Sequence, residues 1–429
     1  MSAPFKPPRR KTAPAGQHFL LSKEARSLPL AKVFRMSEAE AYRAFRKARW
    51  PGKNGSVPWC PQCGCTGAYE LAPRKPAAGK DGRKGRTSAF SNRFRCKQKE
   101  CRHDFSVTSG TIFANRKLPF RTLLQAVALS VQSVKGKAAL QISRELAVQY
   151  KTAWVLSHKL REAVAAERTA MTLSGSVEMD GMYIGGSIRP ENRREDRVDR
   201  RRLANPKKQC ILALRQREGR ILATVVPGEQ REPAWDLVRR HVQAPAELLA
   251  DEAPGYNDLV ALFPMKRNNH GEAYVVEPGS STNQVESFFS RVRRSAHGVH
   301  HRVAGTYLDW YVSDLAFRED MRRMPMANLA PRYLGSALAH PVSRNIAGYW
   351  QGNKPPDTLG WRVPDGGGPD GDGGGPDGLG NGPPGRPPHQ DDMDDEPLSP
   401  RAQRQVISDA VRVAVARRKL NGVRPGVKD

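Results

Sequence analysis

The sequence predicts a mixed α/β protein in which a five-stranded sheet with flanking helices follows a small cysteine module and a bundle of three helices. Three observations lead to this prediction. Five of the six cysteines lie between residues 60 and 101, helical periodicity dominates residues 116–170, and a two-residue alternation typical of strands follows. With 429 residues the chain has room for two or three domains.

Basic residues far outnumber acidic ones. The chain has 71 Lys and Arg against 43 Asp and Glu, a formal net charge of +28. Such a charge destabilises a compact fold unless a polyanion neutralises it, so we expect nucleic acid as the partner, with a merely solvated basic surface as the alternative. The sequence has neither a run of 18 apolar residues nor the apolar core of a secretory signal near Met1, which predicts a cytoplasmic, nucleoid-associated protein without a membrane partner.

The two ends of the chain differ in composition from its middle. We expect residues 1–36 to form a basic flexible arm. Residues 331–400 are predicted to be an extension followed by a disordered linker, because residues 351–400 alone hold ten acidic side chains, 13 Gly and 11 Pro. Residues 401–429 have the pattern of a basic amphipathic helix, which suits either DNA or a partner subunit.

The cysteine spacing predicts a zinc ribbon. Two close pairs, Cys60 with Cys63 and Cys96 with Cys101, supply the four thiolates that tetrahedral Zn²⁺ requires. Two alternatives remain open, since Cys65 can replace Cys63 and His103 can replace Cys101. Together with a preceding helix, which the capping-box spacing from Ser37 to Glu40 predicts, this module spans residues 37–115. Cys210 lies in an apolar run and is interpreted as a small buried side chain.

Three helices are predicted after the ribbon, within residues 116–170. Pro119 opens the first, residues 138–146 form the second, and residues 150–165 form the third after a tight turn. Two short helices joined by a turn resemble a helix-turn-helix, in which the first residues of the second helix contact base edges in the major groove. The predicted DNA-binding residues are Tyr150, Lys151 and Thr152.

Strands and helices then alternate through residues 171–330. In residues 176–184, Val177, Met179 and Tyr183 face away from Glu178 and Asp180, as in a half-buried strand. Further strands are predicted at 209–217, 220–227, 247–251 and 273–276, and helices at 233–242, 255–262 and 281–295. This order is that of the RNase H-like fold with its five-stranded mixed sheet. The basic segment 193–208 is predicted to be a DNA-facing loop.

Three acids fall where that topology brings side chains together. Asp180 lies on the first strand, Asp251 ends the fourth, and Glu286 lies in the last helix. Three converging carboxylates repel one another and favour divalent cations, so we expect two Mg²⁺ (or Mn²⁺) ions suited to in-line phosphoryl transfer. Arg293 follows Glu286 by two helical turns and is placed to bind a phosphate. Among the nearby histidines, His270 is the candidate for orienting the scissile phosphate or for proton transfer.

Several segments resemble the DDE transposases of bacterial insertion sequences, in the branch with an N-terminal zinc ribbon and an RNase H-like, ISXO-type catalytic domain. The segments lie within about residues 37–320. The most specific are Phe105-Ser-Val-Thr-Ser-Gly-Thr-Ile-Phe113, Glu178-Met-Asp-Gly-Met-Tyr-Ile-Gly-Gly186 and Thr282-Asn-Gln-Val-Glu286.

The resemblance implies that Asp180, Asp251 and Glu286 are the catalytic acids. Some relatives use an asparagine as the third ligand, which leaves Asn283 as a rival to Glu286. The basic residue after the glutamate is usually lysine in the family, whereas this sequence has Arg293.

The resemblance also implies a function. The expected protein binds the terminal inverted repeats of its own element, cleaves there and joins the ends to target DNA, as a homo-oligomer because two ends must be brought together. One alternative is a transposase-derived regulator that binds DNA through its ribbon without catalysis. Another is a related Mg²⁺ nuclease that acts on structured DNA.

Overall fold

The computed structural model describes residues 19–73, 92–186, 208–268, 281–346 and 348–349. Several predictions lie outside these residues: most of the 193–208 loop, the strand at 273–276, His270, the linker within 351–400 and the final helix. Among the described residues, no helix has the length and apolar character needed to cross a membrane.

The N-terminal part combines helices with a small three-stranded sheet. Helix α1 is Leu30–Arg35 and helix α2 is Glu38–Arg49. Ser37 and Glu40 cap α2 reciprocally, so the predicted capping box is present. Strands β1 (Ala68–Glu70), β2 (Arg93–Cys96) and β3 (Asp104–Ser106) form an antiparallel sheet in the order β1-β2-β3.

Three helices follow at the predicted places. They are α3 (Phe120–Gln132), α4 (Ala139–Leu146) and α5 (Tyr150–Arg168). Between α4 and α5, Ala147 adopts a left-handed conformation with φ of 50°, which lets the chain reverse within three residues.

Residues 173–268 contain the predicted five-stranded mixed sheet. Its strands are β4 (Leu173–Gly185), β5 (Lys208–Gln216), β6 (Ile221–Val226), β7 (Val242–Asp251) and β8 (Met265–Asn268), in the order β6-β5-β4-β7-β8. Strands β4, β5 and β6 pair antiparallel, whereas β7 is parallel to both β4 and β8. The predicted α/β fold class is confirmed. The fifth strand of the described sheet is β8, which the sequence analysis did not predict.

Helices cover both faces of this sheet. Helix α6 (Arg231–His241) and the 3-10 segment Pro254–Ala261 pack on one face, where they share a buried core with Val177 and Met179. Helices α7 (Asn283–Ser295) and α8 (Gly305–Asp320) pack on the other, in a core that includes Met182. Strand β4 is therefore central and buried on both sides, rather than half-buried as predicted.

The exposure of two side chains on β4 differs from the prediction. Glu178 is only 1% exposed, whereas Tyr183, expected on the apolar face, is 48% exposed. The two-residue alternation identifies which residues share a face of the sheet, but it cannot show that a helix covers the polar face in the folded protein.

A last helix, α9 (Met326–Ala339), was not predicted. Tyr333, Leu334 and Leu338 are buried in one core with α2, α3 and the residues around the cysteines. The chain thus returns after the five-stranded sheet and completes the hydrophobic core of its N-terminal part.

Candidate active site

Two aspartates lie side by side on neighbouring strands. Strands β4 and β7 are parallel and pair Met179 with Ala250, so Asp180 and Asp251 are the next residues on the two strands. The amide of Gly181 donates a 2.7 Å hydrogen bond to Asp180 Oδ1, and the amide of Ala253 donates a 3.1 Å bond to Asp251 Oδ1. Backbone donors therefore fix both carboxylates in place.

A third carboxylate, Glu229, joins them. One oxygen from each of Asp180, Glu229 and Asp251 lies within 4.8 Å of the others. Glu229 follows β6, and its amide donates a 3.1 Å bond to the hydroxyl of Tyr183. The Tyr256 hydroxyl donates to its carboxylate. A side chain at position 181 would collide with that carboxylate, so the glycine gives it room to approach β4.

Glu229 was not predicted from the sequence. Its position depends on how the chain crosses from β6 to α6, which no local spacing reveals. The available signals were weak: an acid directly after the third strand, and a glycine directly after Asp180.

The electrostatics indicate that a positive charge is needed here. Burial, followed by the charges of Asp251, Glu229 and Glu286, raises the pKa of Asp180 to about 7. Burial is also the main cause that raises the pKa of Glu229, against the hydrogen bond from Tyr256. Among the described residues, no basic side chain forms an ion pair with any of the three clustered carboxylates. Hard oxygen donors without a counter-charge fit a Mg²⁺ or Mn²⁺ site.

The two candidates for a further ligand lie in the first turn of α7. Glu286 is half-buried and accepts a 3.5 Å hydrogen bond from Thr282 Oγ1. It is outside the 4.8 Å group, yet its charge raises the pKa of Asp180, so it lies near that group. Asn283 is the first residue of α7 and is exposed.

Arg293 lies two turns further along α7 and is exposed to solvent.

His300 is one of the histidines that follow Glu286 in the sequence. It packs against the ring of Tyr311, and its pKa is lowered to about 3 by burial and by Arg161. It therefore stays neutral at physiological pH.

The cysteine module forms a second candidate metal centre. The sulfurs of Cys60, Cys63, Cys96 and Cys101 all lie within 4.8 Å of one another. The Cys60 to Cys101 distance is 3.7 Å and the Cys63 to Cys96 distance is 3.5 Å. Tetrahedral Zn²⁺ with bonds of about 2.3 Å needs sulfurs about 3.8 Å apart, so the four thiols fit zinc.

The two alternative zinc ligands lie outside this group. Cys65 Sγ is 4.0 Å from the carbonyl oxygen of Gly67, and His103 stacks parallel to the ring of Phe105. The predicted cysteine cluster is confirmed as a group. Cys210 is fully buried, as expected.

The predicted DNA-binding residues begin α5. Lys151 is exposed, while Tyr150 and Thr152 are half-buried. The first turn of this helix thus presents a basic side chain next to the α4–α5 turn.

A mixed sheet in this strand order, with carboxylates meeting across its two central parallel strands, defines the RNase H-like class. The family model of the ISXO2-like transposase domain matches residues 172–320, about a third of the chain. This part of the chain is therefore similar to an insertion-sequence transposase domain, and the resemblance found in the sequence is confirmed. Comparisons with curated proteins and with solved structures give no match.

Proposed function

We propose that the protein is an active DNA transposase that binds the ends of its own element, cleaves there and joins them to target DNA. The observation that carries this proposal is the convergence of Asp180, Asp251 and Glu229 within 4.8 Å in a transposase domain, with the charge of Glu286 close by. A regulator without catalysis would have no use for clustered, partly buried acids, which are costly to keep together.

Asp180 and Asp251 would hold divalent ions jointly, with Glu229 and Glu286 completing the oxygen ligands. Two bound Mg²⁺ ions would activate the attacking oxygen and stabilise the leaving one. The Gly181 and Ala253 amides keep the two aspartates oriented before substrate arrives. Arg293 is exposed on the same helix as Glu286 and would hold a DNA phosphate.

The reaction has two steps. Water attacks the phosphodiester at the element end, which breaks the bond to the 3′-oxygen and leaves a 3′-hydroxyl. That hydroxyl then attacks a phosphodiester of target DNA and displaces its 3′-oxygen. The ribbon and the α4–α5 region would hold the inverted repeat, and a homo-oligomer acting on nucleoid DNA in the cytoplasm would bring two ends together.

The deciding experiment is a strand-joining assay. The substrate is a duplex that ends in the inverted repeat found beside the gene, incubated with Mg²⁺ and plasmid target. Joined products support the proposal. Nicks without joined products would indicate a nuclease, and binding without either would indicate a regulator.

The identity of the further ligands can be tested by substitution. We expect Glu229→Gln and Glu286→Gln each to raise the half-saturating Mg²⁺ concentration by roughly tenfold or more, because each removes a negative charge from the site. Asn283→Ala should retain measurable joining, since this side chain is exposed. The measurement is a Mg²⁺ titration of the joining rate.

Glu252→Gln is the matched control, because Glu252 is an exposed acid beside Asp251 that does not belong to the carboxylate group. It should leave the titration unchanged. Full joining by Glu286→Gln together with no joining by Asn283→Ala would instead make the asparagine the ligand.

DNA recognition by α5 gives a separate prediction. Alanine at Lys151 or Thr152 should weaken binding to the cognate end by about 1–3 kcal/mol and change binding to random DNA little, because base-edge contacts carry sequence information. Titrations of labelled duplexes at fixed salt measure both. Equal losses on the two duplexes would show that these residues contact only phosphate.

A further inference from the structure

Glu178 is a buried acid that the proposed chemistry does not use. It lies on β4 two residues before Asp180, and only 1% of it is exposed. A buried carboxylate is stable only where charge partners and hydrogen-bond donors replace water. Its partners therefore indicate what it does.

Each carboxylate oxygen of Glu178 has a defined partner. Oε2 accepts hydrogen bonds from the amides of Gln284 at 2.9 Å and Val285 at 3.1 Å. Oε1 accepts from Arg217 Nε at 2.9 Å. Arg217 also donates to the carbonyl oxygen of Ser281, just before α7. One carboxylate thus joins β4, the end of β5 and the start of α7.

Glu178 caps the N-terminus of α7, although it lies on another element. The residue at the cap position, Thr282, makes no side-chain capping bond. The first amides of a helix need acceptors, and a carboxylate there is also favoured by the helix dipole. Here the acceptor comes from the strand that carries Asp180, so the cap fixes where α7 sits along β4.

The two capped amides directly precede Glu286. Apolar packing of Val285, Phe288 and Phe289 holds α7 on the sheet but allows small shifts along it, since hydrophobic contact is not directional. The hydrogen bonds to Glu178 are directional. They set the distance between the first turn of α7 and Asp180, which lies only about 7 Å along the strand from Glu178.

We propose that Glu178, together with Arg217, is a positioning residue that holds Glu286 at the metal-binding aspartates. This inference rests on the proposed function, because it takes Glu286 as a ligand. Glu178 itself touches neither metal nor DNA in this role. It keeps Glu286 in position by fixing α7, the helix that carries Glu286.

The chain offers a matched control in Glu38. Its two carboxylate oxygens accept from the amides of Phe120 at 2.7 Å and Arg121 at 2.9 Å, so it caps α3 in the same way in the N-terminal part. Glu38→Gln removes a helix-capping charge without touching α7.

The experiment uses the full-length protein and Mn²⁺, with free Mn²⁺ followed by electron paramagnetic resonance. Glu178→Gln should weaken Mn²⁺ binding about tenfold, as loss of outer-shell partners typically does. Glu38→Gln should bind as the wild type does, and Asp180→Asn should lose binding. Hydrogen exchange should become faster in the α7 peptide containing Gln284 and Val285 only in Glu178→Gln.

Wild-type Mn²⁺ affinity in folded Glu178→Gln would overturn the proposal. If Glu178→Gln does not fold, Arg217→Gln tests the same set of hydrogen bonds. Unchanged Mn²⁺ affinity in Arg217→Gln would also overturn the proposal. Equal binding by wild type and Asp180→Asn would contradict the proposed function itself, and with it the positioning role. Faster exchange in α7 together with unchanged affinity would show that the cap is only structural.

Discussion

Asp180→Asn and Asp251→Asn are each expected to abolish cleavage and joining, by roughly a thousandfold or more, or about 4 kcal/mol in activation free energy. The amide keeps the size of the side chain but removes the charge that holds a divalent ion. End binding should stay nearly intact, because the predicted DNA contacts lie in the N-terminal part. Joining assays and duplex titrations on the same preparations measure the two properties.

Folding of these variants provides the control. Burial and, after it, the neighbouring acids raise the pKa of Asp180, so a neutral amide removes a cost of the charged form and should not lower the melting temperature of the metal-free protein. Glu252→Gln should keep full activity. Joining by Asp180→Asn at the wild-type rate would contradict the assignment of the site, whereas an unfolded variant would show that Asp180 has a structural role.

Cys96→Ser is expected to lose the single zinc ion that the wild-type chain should carry. Zinc-ribbon folding depends on metal binding, which is worth about 10–16 kcal/mol in isolated zinc-finger peptides. Cys96 and the neighbouring Phe94 belong to the same buried core as α2, α3 and α9, so disorder should extend into those helices. The two cores of the five-stranded sheet are separate and should stay folded. Metal analysis and hydrogen exchange measure both effects.

Cys65→Ser is the comparison for this prediction, since Cys65 lies beside the Cys60–Cys63 pair but outside the sulfur group. It should retain one zinc ion per chain and wild-type exchange. Full zinc occupancy in Cys96→Ser would show that this cysteine is not a ligand.

Local patterns predicted most elements of the five-stranded sheet and its helices. The alternation in β4, the apolar run that ends at Asp251 and the periodicity of α7 each identify an element. Observed boundaries differ from the predicted ones by up to five residues, the largest difference being at the start of β7. Strand β8 was not predicted, because it has only four residues and no alternating pattern. The strand predicted at 273–276 lies outside the described residues.

The candidate site was predictable only in part. Asp251 ends the apolar strand β7 and Asp180 lies within β4, and an acid in an apolar strand can be recognised from the sequence. No comparable sequence pattern identifies Glu229 or Glu178. Glu229 reaches the site because Gly181 leaves space and Tyr256 holds it, and Glu178 is buried because α7 covers its face of the sheet.

The sequence by itself determined most of the elements, the cysteine group and the two aspartates, because period, spacing and order along the chain are local properties. Only the tertiary structure decided which acids share one site, which carboxylate caps α7, and that α9 returns to the N-terminal core. These depend on residues far apart in sequence, such as Glu178 with Val285 or Arg49 with Leu338. Their contacts form only when the sheet and its helices have packed, since burial and directional hydrogen bonds, rather than local propensity, select them.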